Sequence, residues 1–389
     1  PVPGGARCRR PVGAGGVHFR LSSMGSYDGV LDKSMVAAST DEMPAIAQIN
    51  EIGSMKARLS GAFKPAERIL PQQSKDALTD SVSDYYTVDG ELQSVPFNSS
   101  NPVLCINRDQ FEAAGLDPDN PPETFAEVRE ASRQLVNAGA ADYGITFANY
   151  SWFVEQWFAE AGQELVNEQN GRGGVPDEAY LDSKFGHEFF SWWTDMEADG
   201  LYHNSGIKAR GTAKKAFHEG RAAMLIGSTS SLGSIQSGAD FDLETGYLPV
   251  LDERNGVLVG GASLWIGDNL DPQVESAAGE FLSWLLEPEQ QARWHRETGY
   301  FPVCDGAADL LQSEGWFEQN PQFATAFDQF QESSDTPATN GAQMGPFPTV
   351  RSIIEQHRAE MELDGDISES LRQLNNDIEA ELFGWEADR

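Results

Sequence analysis

The sequence predicts an α/β protein organised as two domains, or as two lobes threaded by one chain. Three observations carry that expectation. At 389 residues the chain is too long for one typical core. Short apolar runs that read as buried strands, such as VLCI at 103–106 and AAMLI at 222–226, alternate with stretches of helical periodicity such as Leu181 to Asp199. Polar residues stand where strands begin or end, above all in PFNSSNPVLCIN over 96–107. A polar loop handing over to a covered strand is where ligand-contacting side chains sit in α/β proteins, although a serine-rich turn between elements would read the same way.

Composition removes several function classes. Hydrophobic residues make up 40% of the chain, enough for real cores. No stretch approaches the roughly 18 uninterrupted apolar residues of a membrane span. The formal net charge is -34, from 61 acidic and 27 basic residues. Such a chain repels nucleic acid and anionic membrane surfaces, so neither is an expected partner. Acid spread along the whole length points to a surface that holds water and cations at high salt, as in a halophile. Cys8, Cys105 and Cys304 form no CxxC, and an odd count argues against a disulfide framework. The six histidines are scattered without metal-ligand spacing. Neither a metal nor another cofactor is expected.

Residues 1–16, PVPGGARCRRPVGAGG, are rich in Pro, Gly and Arg and unlike the rest of the chain, and are expected to be disordered and foreign to the fold. Residues 17–21 alternate like a short strand, and SSMGSY is a polar loop with Tyr27 at its tip. A helix over 31–38 precedes a buried strand over 43–49. That strand ends at Asn50 and Glu51, the carboxyl end where sheets present ligand-facing groups, though a carboxylate there also suits a helix start. Pro121, Pro122 and the TFAE spacing from Thr124 to Glu127 predict a helix opened by a capping box. After a strand over 142–146, Trp152, Phe153, Trp157 and Phe158 recur at helical spacing, which favours core over ligand platform. Phe189, Trp192, Trp193 and Met196 mark the buried side of helix 181–199, and Phe217 that of a helix over 212–219 closed by Gly220.

The strand 222–226 runs into Gly227, Ser228, Thr229, Ser230 and Ser231 ahead of a helix, which gathers hydroxyls and free N–H groups into a ready anion site. A plain serine N-cap is the alternative, and the Lys and spacing of a P-loop are missing. Strands are expected over 246–251 and 256–266, the second interrupted by Gly260 and Gly261, where something approaches the backbone closely. The remainder reads as helical: 271 onward, 289–297 stopped by Gly299, 313–317, 321–331, 350–361 and 367–383, with loop over 341–348. Arg351 is expected to open one of these helices, against the dipole, so that an anion is needed to hold it.

PFNSSNPVLCIN, FEAAGLDPDNPPETFAEV, GGASLWI, WHRETGYFPV and NPQF, in this order, resemble the extracellular solute-binding proteins of ATP-driven importers, in the maltose-binding-like group. The resemblance covers about 23–383. It implies a two-lobed periplasmic-binding-protein type II fold with a multi-crossing hinge and a ligand cleft between lobes. Residues 17–102 with 250–299 would form the first lobe and 103–249 with 300–389 the second, and 96–107 would be the first crossing. By the same resemblance Tyr27 and Glu51 receive glycerol hydroxyls, Ser100, Ser228, Gly261, Tyr300 and Arg351 gather mostly around a phosphate, and Trp152 lines the cleft. The implied function is capture of glycerol 3-phosphate or a glycerophosphodiester, or else of a sugar or oligosaccharide. Delivery would be to membrane permease and ATPase subunits, by a monomer outside the cell or at its surface. An enzyme is not expected: there is no GxSxG, no metal-ligand set and no base paired to a nucleophile. The pattern departs from the family in two places. Only 26 residues precede Tyr27, where a signal peptide, a strand and a helix are usual, so a truncated or misread start and a missing first strand are expected. Asn149 and Tyr150 stand where another aromatic is usual, which would alter specificity near Trp152.

Overall fold

Two larger sheets organise the described residues, and a third is a single two-stranded pair. The computed structural model describes residues 20–24, 27–40, 42–364 and 366–387. The expected disordered segment 1–16, and most of the strand expected at 17–21, lie outside these; Arg20 and Leu21 are not in a strand. In chain order the strands are β1 (Ile46–Asn50), β2 (Phe63–Lys64), β3 (Thr87–Val88), β4 (Glu91–Leu92), β5 (Val95–Ser100), β6 (Pro102–Asn107), β7 (Tyr143–Asn149), β8 (Tyr202–Ile207), β9 (Ala222–Ser228), β10 (Leu243–Gly246) and β11 (Gly260–Gly267).

The chain divides into two compact units. The first takes the described residues up to Ser99 together with 261–293 and 302–310; the second takes 100–260, 294–301 and the described residues from 311 onward. The chain therefore passes between them five times. In the first unit β11 is central, antiparallel to β1 and β2 and also paired with β5. Its core joins Leu31, Ala47, Ile49, Ala57, Phe63 and Trp265. In the second the order is β10-β6-β9-β7-β8, with β7 parallel to both β8 and β9 and the other pairs antiparallel. Every residue of β6 and β9 is buried, as continuous apolar runs require when both faces of a sheet are covered. The second core is aromatic: Phe147, Trp157, Phe189 and Trp193 pack ring against ring, and Phe125 stacks on Trp192 at 4.4 Å.

Several expected elements are corrected by tertiary contacts. The polar stretch before β6 is itself strand, with Asn98, Ser99 and Ser100 buried because β5 lies against β11. Residues 256–259 are not in β11. Gly256 has φ +132°, its N–H donates to Glu160, and Gln156 binds both the N–H and the carbonyl of Leu258. These bonds hold 250–260, expected with the first lobe, in the second unit. The strand expected at 246–251 is β10, which ends at Gly246; Val250 makes only an isolated bridge to Thr124. Segment 302–310 belongs to the first unit, where the Thr79 N–H donates to the Val303 carbonyl, Leu78 bridges Cys304 and the Val303 N–H donates to Gln291. It opens the helix Asp305–Ser313, which the sequence reading missed; the helix expected at 313–317 is a short turn, Trp316–Gln319. The helix Phe347–Asp364 begins three residues before its expected start, which moves Arg351 into its second turn.

Candidate functional site

Three expected residues gather in the first unit. Tyr27 is the first residue of the helix Tyr27–Ala38, and Glu51 follows β1 directly, opening a short 3-10 turn. Glu51 is buried, and its Oε2 accepts the Gly261 N–H at 3.1 Å. Gly261 has φ +129°, and a Cβ there would stand 1.8 Å from the Asn98 carbonyl oxygen, so only glycine allows β11 this close to β5. Asn98 Nδ2 reaches the Tyr27 hydroxyl at 3.5 Å. Burial pushes the Tyr86 phenol well up, and the charges of Tyr85, Glu51 and Tyr27 push it the same way, so Tyr86 is a neutral hydroxyl beside Glu51. The sequence reading missed Asn98 and Tyr86. Asn98 lay in the stretch read as a turn, and no spacing relates Tyr86 to Glu51.

The other five stand in the second unit. Pro102 pairs with Ser228 in the β6–β9 register, and beyond the strand ends the Thr229 N–H donates to the Asn101 carbonyl at 3.0 Å, which brings Ser100 and Ser228 to neighbouring strand ends. The hydroxyls of Ser228 and Ser230 are 2.9 Å apart. Gly299, at φ +77°, sits so close that a Cβ would be 2.5 Å from the Thr229 carbonyl oxygen, and this contact carries Tyr300 to the same turn. The Tyr300 carbonyl accepts from His295 Nδ1 at 2.8 Å. Burial lowers the His295 pKa to about 4, so at neutral pH the imidazole is uncharged and its Nδ1–H is the donor.

Trp152 is buried and packs on Gly260, where a Cβ would lie 2.3 Å from the indole nitrogen. Ser100 Oγ reaches the Gly260 carbonyl at 3.4 Å, which links Ser100 to Trp152. Trp152 Nε1 has no hydrogen-bond partner among the described residues. The neighbouring Tyr150 ring is 6.4 Å from that of Trp152, and the Arg351 guanidinium stands 5.8 Å from the Tyr150 centroid. Arg351 is buried and grips both oxygens of buried Glu155. The anion that its place in the sequence demanded is therefore available within the unit. Beside this pair, Glu355 accepts from the Ser151 N–H and meets Lys208 at 3.2 Å; burial raises its pKa, and the Ser151 bond and Lys208 pull it back.

Among the described residues no cluster of His, Cys, Asp and Glu could hold a metal ion, and no helix is long and apolar enough to cross a membrane.

Comparison with known proteins identifies relatives of the chain. Residues 13–325 match the model of the bacterial extracellular solute-binding protein family. The sn-glycerol-3-phosphate-binding periplasmic protein UgpB of Yersinia pestis is 32% identical over 343 residues, spanning 85% of this chain and 77% of that protein. Its counterpart in Escherichia coli K12 is 31% identical over 85% of this chain and 78% of its own length. Among solved structures, UgpB from Mycobacterium tuberculosis in complex with glycerophosphocholine superposes with a TM-score of 0.77 at 21% identity, covering 93% of this chain and 89% of that one. The cyclic α-maltosyl-1,6-maltose binding protein from Arthrobacter globiformis gives 0.76 at 23% identity, over 92% and 89%. The fold is thus the two-lobed α/β fold of maltose-binding-type receptors, and the chain belongs to the bacterial extracellular solute-binding protein family.

Proposed function

We propose that the protein captures glycerol 3-phosphate or a glycerophosphodiester for an ABC importer, as a binding protein and not as an enzyme. One observation carries the reading: the expected residues fall into two chemically distinct groups. Tyr27, Glu51 and Gly261 present hydroxyl, carboxylate and close backbone, suited to the donors of a glycerol. Ser100, Ser228, Tyr300 and Arg351 present hydroxyls and a guanidinium, suited to phosphate oxygens, with Trp152 beside them. In this reading the first group takes glycerol hydroxyls and the second takes phosphate oxygens. A phosphate held mainly by neutral donors is bound firmly yet released when the protein opens. The named relatives support the same ligand class.

Isothermal titration with glycerol 3-phosphate, glycerophosphocholine and maltose tests this. Binding of either phosphate ester without maltose is the expected outcome, and binding of maltose alone would overturn it. A sugar ligand is the second reading, favoured by the Tyr150–Trp152 aromatic pair and by the neutralised state of Arg351. Loss of binding when the buried pair is replaced together, as Arg351→Met with Glu155→Leu, speaks for phosphate and little change for sugar.

We extend the reading to place and partners: a monomer acting outside the cytoplasm, delivering to permease and ATPase subunits. The net charge of -34 supports a high-salt habitat. The melting temperature is then expected to rise between low and molar potassium chloride, and an unchanged value would remove that part of the proposal.

A further inference from the structure

We infer that Arg210 is a specificity-determining residue, selecting anionic over cationic ligand groups by covering the ring of Tyr150. This rests on the proposed function, in which Arg351 and Trp152 are ligand contacts. Three observations lead to it.

The first is charge matching. The guanidinium of Arg210 stands 4.8 Å from the Tyr150 centroid, over the ring that Arg351 also faces. Arg351 is matched by Glu155, and Lys208 by Glu355. Arg210 makes no ion pair among the described residues and is exposed. In a chain with 61 acidic and 27 basic residues, an unmatched arginine is out of keeping with its surroundings. An anionic ligand beside Arg351 meets a neutral pair there, and the uncompensated positive charge next to it is that of Arg210.

The second is that the placement is built and not incidental. The β7–β8 register sets Asn149 opposite Ile207, and the Lys208 N–H then donates to the Asn149 carbonyl at 2.9 Å. Lys208 adopts φ +55°, a left-handed conformation that lysine avoids, and its ammonium is tied to Glu355. The helix Arg210–His218 starts directly afterwards with no acidic residue in its first turn, so Arg210 also works against the helix dipole. Two locally unfavourable choices together deliver one guanidinium onto Tyr150.

The third is unmet hydrogen-bonding capacity next to that ring. Trp152 Nε1 and Asn149 Oδ1 belong to buried residues and have no partner among the described residues. A bound polar ligand would satisfy them.

The face of a tyrosine attracts cations, and a quaternary ammonium group would naturally use it. Here guanidinium groups already occupy the ring, so a choline head group meets like charge while phosphate oxygens meet a donor.

Calorimetric titration of the full chain, wild type, Arg210→Ala and Arg210→Lys, with sn-glycerol 3-phosphate and with glycerophosphocholine tests this. Arg210→Ala is expected to weaken glycerol 3-phosphate about tenfold, the low end for a charge-assisted contact at an exposed residue. It should leave glycerophosphocholine unchanged or tighter, so that the preference between the two shifts. Arg210→Lys keeps the charge and should keep the wild-type preference. A preference unchanged in Arg210→Ala, whether both ligands are unaffected or both equally weakened, overturns the role of Arg210 alone. A wild type that binds neither phosphate ester overturns the proposed function and this inference with it.

Discussion

Arg351 and Glu155, separated by 196 positions in the chain, form a two-point ion pair: Nε to Oε1 at 2.6 Å and Nη2 to Oε2 at 2.7 Å, with both side chains buried. Ser151 Oγ adds a bond to the same carboxylate at 3.2 Å. The parallel fork of two charge-assisted bonds fixes the guanidinium plane beside Tyr150.

Removing one partner of such a pair leaves the other charge buried and uncompensated. Arg351→Ala is therefore expected to cost about 3–5 kcal/mol in urea denaturation, and Glu155→Ala a similar amount. Replacing both at once, as Arg351→Met with Glu155→Leu, should recover most of that loss. A single-site loss of under about 1 kcal/mol would contradict the pairing. The consequence for binding is practical: loss of phosphate binding in Arg351→Ala alone confounds recognition with folding, whereas the double variant separates the two.

His295 makes a prediction about pH. Its ring packs against Trp316, Phe317 and Phe323, with the nearest centroid at 4.6 Å, and burial depresses its pKa to about 4. The unfolded chain holds the same group near 6.5. Below 6.5 the unfolded state binds the proton first, so stability present above that pH is lost as pH falls toward 4. The loss is on the order of 3 kcal/mol. Buried Glu160 and Glu355 have raised pKa values, desolvation being the main cause, and give the opposite slope, because the native state takes up their protons first. His295→Gln should flatten the acid side of the stability curve relative to wild type, and identical curves would refute the assignment.

What the sequence discloses about this molecule is what local chemistry decides. The capping box of Thr124 and Glu127 was legible because it is written in four residues, and both reciprocal bonds form. The helix Pro321–Gln331 was legible because proline sets its first turn. The runs in β6 and β9 were legible because strands covered on both faces must be apolar. The polar stretch at 98–100 was not legible as strand: its burial comes from β11, more than 150 residues away. A similar distance, 196 positions, hid Glu155 as the anion for Arg351, and the β7–β8 register, not local spacing, placed Arg210 beside Tyr150. Sequence thus shows which residue types stand at element ends, and only the fold says which of them already satisfy each other.

The capping box also yields a number. Thr124 Oγ1 accepts the Glu127 N–H at 3.2 Å, and the Glu127 carboxylate accepts the N–H groups of Glu123 and Thr124. Thr124→Ala should cost about 1 kcal/mol in denaturant unfolding. Those accepted bonds, the one from Glu123 first, hold the Glu127 carboxyl below its ordinary pKa. Its contribution is therefore present above the unfolded carboxylate pKa and lost as pH falls through the folded one. A Glu127→Ala penalty undiminished at acidic pH would mean that the carboxylate half of the box does no work.

Gly260 and Gly261 make a paired test of where the first unit's group and Trp152 get their geometry. At Gly261 a methyl group would meet a backbone carbonyl, that of Asn98, at 1.8 Å, in a conformation with φ +129° that alanine resists. Neither β5 nor β11 can yield without disturbing their pairing, so Gly261→Ala is expected to destabilise by at least about 2 kcal/mol. It should also pull the Gly261 N–H away from Glu51, so ligand affinity falls even in the fraction that remains folded. At Gly260 the obstacle is a side chain, the Trp152 indole at 2.3 Å. Gly260→Ala should therefore displace that ring, changing the intrinsic tryptophan fluorescence and its response to ligand, while Glu51 keeps its backbone donor. Thermal unfolding and fluorescence titration of the two variants side by side distinguish the cases. Equal and small effects at both positions would mean that neither close approach constrains the site.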